Sequence, residues 1–268
     1  MNKSLTAWLI SLLLSLSVKA QNFINYSSHL EEKGETEFFV STDVGYLDDL
    51  NPFFATVLEY EYGITDFWTT ELQVETATTS KFAYAFVGYR FENRIRLLSE
   101  STFIVPVLYA EYENLHIESP FVQEVVGYAK YQHANLEKHH ERGLETRIIL
   151  GKDINKKRGH VSLNWINESE PEGTKFGYSM GLTYKLTTES TIETNEKHDI
   201  QTCIGLEIYG GLGDSKEGLS VDPNLTAHYA GINYRLKFRK GLRCSFGGHI
   251  GLSPVSRDYF KFGIGYSF

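Results

Sequence analysis

A formal net charge of −8, with 26 Lys and Arg against 34 Asp and Glu, leaves this 268-residue chain without the basic surplus of a nucleic-acid surface. Two cysteines are too few for a disulfide framework. Tyr and Phe, 17 of each, are abundant while Pro, at 6, is scarce, a balance that suits strands.

Residues 1–20 read as an export signal. Lys3 supplies a positive start, 7–18 is an apolar run, and Val18 and Ala20 fill the small-residue positions for cleavage after Ala20. The run is too short to cross roughly 30 Å of hydrocarbon. Its removal takes away Lys3 and Lys19 and moves the net charge from −8 to −10. Residues 21–34 are polar and without a period, and are expected to be a short leader ahead of the wall. Residues 35–268 are expected to be one domain.

That domain is a succession of segments about ten residues long with period-two alternation, the length of a spanning strand. The predicted strands are 35–46, 53–62, 67–78, 81–91, 101–114, 143–154, 159–169, 175–187, 200–210, 224–238, 242–252 and 258–268. In the third, Trp68, Leu72 and Val74 oppose Glu71, Gln73 and Glu75; in the sixth, Leu144, Ile148 and Leu150 oppose Glu145 and Arg147. The expected fold class is all-β: a single antiparallel transmembrane β-barrel of about twelve strands, with an apolar face on lipid and a polar face on the lumen. Ten or fourteen strands are the alternatives, because 121–131 reads equally as a strand or as a helix in the mouth. Short connectors at 63–66, 155–158 and 239–241 fall on one side and the long one, 115–142, on the other. A long turn at 188–199 and a tight link at 79–80 fit this register poorly. Cys203 and Cys244 fall on strands two apart, about 10 Å, a separation that disfavours a bridge.

The last strand alternates without a break. Phe260, Phe262, Ile264, Tyr266 and Phe268 share one face, and Lys261, Gly263, Gly265 and Ser267 share the other. This strand resembles the closing strand of bacterial outer-membrane β-barrel proteins. The resemblance implies location in the outer membrane, contact with its lipid, and insertion by the barrel-insertion machinery, for which Phe262, Ile264, Tyr266 and Phe268 match the assembly signal. It implies nothing about cargo.

The main candidate chemistry is a carboxylate stripe. Glu59, Glu61, Glu71, Glu75, Glu111, Glu113, Glu145, Glu168 and Glu207, with Arg147 among them, fall on the predicted inner face. Acidic rings favour cations in a wet pore, so a porin-like channel for small solutes, leaning toward cations, is the expected function, its solute unspecified. A structural or partner-binding barrel is the alternative, and a lipid-modifying enzyme a remoter one. His160, Ser162 and Asn164 have the residue types of outer-membrane lipid hydrolases, but this register puts them inside, out of reach of lipid. His133, His139, His140 and Glu141 match no zinc spacing and read as a polar loop. Gly210, Gly211 and Gly213 read as a strand exit, and Arg90, Arg94 and Arg96 as a periplasmic turn. No cofactor, metal site or catalytic constellation is expected.

Overall fold

The computed structural model describes residues 24–46, 52–78, 84–117, 126–129, 139–155, 157–187, 200–238 and 241–268. The export signal, His133, the 79–80 link and the 188–199 turn lie outside them. The strands are β1 (Thr36–Tyr46), β2 (Pro52–Thr65), β3 (Trp68–Thr78), β4 (Tyr84–Arg96), β5 (Val105–Ile117), β6 (His139–Ile154), β7 (Gly159–Glu170), β8 (Gly173–Lys185), β9 (Ile200–Asp214), β10 (Gly218–Leu219), β11 (His228–Phe238), β12 (Leu242–Gly251) and β13 (Tyr259–Ser267).

Twelve of these close an antiparallel barrel in which sequence neighbours pair, β13 returning to β1 and β8 pairing β9. The two-residue β10 is an appendage folded back on the end of β9. Closure leaves the wall with no free edge, which a lipid-exposed sheet requires because nothing in hydrocarbon can pair its N–H and C=O groups. The two chain ends of the wall meet at one rim, where Thr36 N donates to the Phe268 carbonyl (3.0 Å) and Phe268 N to the Thr36 carbonyl (2.9 Å). In an even-stranded bacterial barrel that is the periplasmic rim.

The wall is inverted relative to a soluble sandwich. Leu72 is 46% exposed and Phe262 53%, while Glu71, the acidic chain neighbour of Leu72 on the opposite pleat, is 3% exposed. Strands of about eleven residues, rising ~3.3 Å each and tilted about 40°, cover roughly 28 Å, the thickness of a hydrocarbon layer. The outward belt of Leu58, Phe91, Ile148, Leu163, Leu206, Ile232 and Ile264 therefore faces acyl chains.

Several strand bounds differ from those read off the sequence. β4 runs to Arg96, so Arg90, Arg94 and Arg96 belong to a strand and not to a turn. A register shift between Glu75 and Thr76, opposite Phe86 and Gly88, resets the alternation of β4 and turns Val87 inward. That bulge hides the strand's continuity from a strict period-two reading. β9 continues through Gly210, Gly211 and Gly213 to Asp214, so these glycines lie in the wall and not at its exit. β6 begins at His139, which takes His139, His140 and Glu141 out of the loop and into the β5–β6 ladder opposite Ile117, His116 and Leu115. Both cysteines are free.

Candidate functional site: the barrel lumen

The ten inner-face residues singled out from the sequence all project into the barrel. Nine of them, Glu61, Glu71, Glu111, Glu113, Glu145, Arg147, Glu168, Glu207 and the partly buried Glu75, stand within an extensive network, and Glu59 borders a cavity. The sequence reading missed their counter-charges. Arg94, 2% exposed, stands among three carboxylates: Glu61, Glu71 (3.3 Å) and Glu92 (2.6 Å). Arg90 pairs Glu75, Glu111 (3.1 Å) and Glu113 (3.5 Å). Lys175 meets Glu168 at 3.2 Å. Both arginines come from inward positions of β4, and each reaches across neighbouring strands as a planar fork that suits carboxylates.

The second feature hidden from the sequence is the course of the leader. From the periplasmic rim, residues 35 back to 24 run up inside the barrel. At the rim, Gly34 N donates to the Gly63 carbonyl (2.8 Å) and Lys33 N to Asp66 (3.2 Å). Deeper, Glu31 N donates to Thr69 Oγ1 (3.1 Å). Leu30 packs on Val107, Tyr109 and Ile149, three inward side chains that would otherwise be apolar residues facing a polar lumen. Tyr26 N donates to Asn164 Oδ1 and Asn164 Nδ2 donates to the Tyr26 carbonyl, both at 3.0 Å, so one wall amide satisfies both backbone groups of that residue. The Tyr26 ring lies 5.3 Å from the Arg94 guanidinium and 4.7 Å from that of Arg147, and its hydroxyl donates to Glu92 (2.9 Å). Asn25 sits between the Ser162 and Ser179 hydroxyls. Ile24 N and Asn25 N both donate to Glu207 Oε2 (3.1 and 3.0 Å), while Arg147 Nη1 donates to the Ile24 carbonyl (2.9 Å). A backbone without a partner strand has its polar groups met here by wall side chains, as burial demands.

Two wall glycines make room. A Cβ on Gly63 would overlap the backbone of Glu32, and one on Gly151 the side chain of Ser28. Both mark a close approach of the leader to the wall.

From the other end, part of the long outer connector folds inward. Gly127 bridges Gly213 and donates to the Phe176 carbonyl (2.9 Å), and Ala129 N donates to the Leu225 carbonyl (2.7 Å). Val126 and Ala129 pack with Ile166, Tyr209, Ala227, Tyr229 and Tyr259, and Ile24 of the leader packs against the same cluster. The two inward segments therefore meet through shared apolar side chains. Of the 121–131 stretch, only 126–129 is described, and it is neither a spanning strand nor a helix.

Beside Tyr26 a cavity of about 70 Å³ remains, several times the ~15 Å³ that one water needs. Glu37, Glu59 and Glu61 border it from β1 and β2, and Arg235, Arg243 and Lys261 from β11 to β13. One side of this cavity is thus acidic and the other basic. His160 and Ser162 lie on the inner face, as the register required. Their polar atoms turn to Asp153, the Ser28 amide and Asn25, not to lipid. Phe262, Ile264, Tyr266 and Phe268 all face outward.

No protein-family model matches the chain, and no curated protein does. Among solved structures, the COG4313 outer membrane channel from Pseudomonas putida F1 is similar at 11% identity and a TM-score of 0.53, covering 90% of this chain and 98% of that one. The NanC porin is similar at 8% identity and a TM-score of 0.50, covering 86% and 98%. At these identities the likeness is one of fold, and the chain has the fold of bacterial outer-membrane β-barrels.

Proposed function

We propose that the protein is an outer-membrane channel for small solutes, leaning toward cations and held shut by its own leader. The observation that carries this reading is how the leader is held. Between Ile24 and Glu31 its backbone is bonded to side chains of Glu207, Arg147, Asn164 and Thr69, groups that water can serve equally well once the leader leaves. A permanent filling would more simply be apolar. The excess of carboxylates over basic groups on the inner face would raise cation concentration in the vacated lumen. The terminal stripe of Phe262, Ile264, Tyr266 and Phe268 would serve the insertion machinery.

A second reading, a closed barrel that braces the membrane or presents its loops to a partner, draws on the two inward segments meeting at Ile24. Reversal potentials across a planar bilayer, measured on protein lacking residues 21–33, separate the two. We expect potassium to pass several-fold more readily than chloride. The ratio should fall toward one in Glu59→Gln and rise in Lys261→Gln. A ratio that ignores both substitutions would remove the cation preference, and an absence of current would favour the closed barrel.

A further inference from the structure

We propose that His29, Asp153 and His160 form a binding site for a borderline transition-metal ion such as Zn²⁺, which clamps the leader to the wall. Asp153 and His160 are register partners across the β6–β7 hairpin, so both point inward at the periplasmic mouth. The turn between them holds Asn155 at φ 49° and Lys157 at φ 66°, a tight reversal that keeps the pair opposed. His29 arrives from the leader. His160 Nδ1 lies 2.8 Å from Asp153 Oδ1, and His29 Nε2 lies 3.1 Å from the same oxygen. The two rings are 4.3 Å apart at 40°, and one ligand atom from each residue lies within 4.8 Å of the others.

Metal–ligand bonds of about 2.0–2.2 Å in a tetrahedron place ligand atoms about 3.4 Å apart. The two edges at 2.8 and 3.1 Å reach that by opening about 0.6 and 0.3 Å, and the edge between the two histidines, within 4.8 Å, by adjusting to the same length. Two imidazoles and one carboxylate select zinc, copper or nickel over calcium and magnesium, which prefer oxygen. Three protein ligands leave one position for water.

Two details point to a cation and not only to a hydrogen-bonded latch. Both imidazoles converge on one carboxylate oxygen, so the three ligand atoms surround a common point between them that an ion could take. The His29 Nδ1 is buried without a hydrogen-bond partner, so only the Nε2 contact with Asp153 changes when this ring re-aims toward an ion. Metal binding would replace the His160 Nδ1 and His29 Nε2 contacts with Asp153 by bonds to the ion, and the further hydrogen bond it would break is already long: Ser28 N lies 3.4 Å from His160 Nε2, which becomes a donor once Nδ1 is bound to metal.

The ion would bridge leader and wall only while the leader is docked. Linkage then makes it favour the docked state by 1 + [M]/Kd, about a hundredfold at 100 times Kd. This gating consequence rests on the channel reading above, whereas the site itself does not.

The test is calorimetric titration of ZnCl₂ into the folded mature protein in detergent, followed by the bilayer. We expect one Zn²⁺ per barrel at micromolar affinity, weakened at least tenfold in His29→Gln and in His160→Gln. CaCl₂ should give no heat. His29→Gln lies in the leader and leaves the wall intact, and a heat-shifted gel band establishes that each variant is folded. Absence of zinc binding, or binding indifferent to both substitutions, would overturn the site. Binding that depends on both histidines, in a barrel that never conducts, would uphold the site and sink the channel reading instead.

Discussion

Deleting residues 21–33 should turn a mostly silent barrel into one that conducts steadily. The wall does not need the leader to close, because β13 pairs β1 along nine residue pairs and the chain ends bond each other at the rim. The lumen does need it to be filled. Tyr26, Asn25 and Leu30 occupy the centre, and their loss removes side chains from between Arg94, Arg147, Asn164 and Ile149. A closed state favoured by only a few kcal/mol would leave the open state rarely populated, so deletion should raise mean current by roughly one to two orders of magnitude in a bilayer. Gly151→Val should act in the same direction. Its side chain would displace Ser28 while the lipid face stays untouched. If the deleted protein folds, shows its heat-shifted band and still passes no current, the leader is not the gate.

Replacing Arg94 with Met should cost about 3–5 kcal/mol of stability, the range for removing one partner of a buried charge group. The effect is large because Arg94 compensates three acids at once. With the guanidinium gone, Glu61, Glu71 and Glu92 repel one another in a site nearly closed to solvent. Urea unfolding of the barrel in micelles, followed by tryptophan fluorescence, measures the loss. Adding Glu61→Gln to Arg94→Met should recover part of it, because the two positions are coupled through direct contact. A loss below about 1 kcal/mol, the value of an exposed pair, would mean that water already serves these carboxylates.

The wall is legible because most strands alternate cleanly over a long run. Glu59, Glu61 and Glu71 fix which pleat is wet, and Phe262, Ile264 and Tyr266 fix which is oily. About twelve strands follow from that pattern, with ten or fourteen left open by 121–131, and the structure has a closed barrel of twelve. The bulge at Val87 shifts the period of β4, which hides that Arg90 faces inward, and the predicted end at 91 leaves Arg94 outside the strand. The basic border of the cavity has a readable signal: Arg235, Arg243 and Lys261 stand on the same pleat as the inward glycines of β11 to β13. The leader was not legible, since a segment without period gives no face to assign. Its docking surface did leave a trace. Val107, Ile149, Ile166 and Tyr209 are apolar at inward positions, where a plain aqueous lumen would not call for them. Nothing in the spacing of His29, Asp153 and His160 shows that they meet, because the fold alone brings the first to the other two.

Hydrogen–deuterium exchange of the leader in the folded, detergent-solubilised barrel tests the central claim most directly. Peptides covering residues 24–31 should exchange far more slowly than an unstructured chain, because the amides of Ile24, Asn25, Tyr26 and Glu31 are bonded to wall side chains inside the lumen. Exchange of those amides at the rate of a free peptide, in a barrel whose wall strands remain protected, would contradict it.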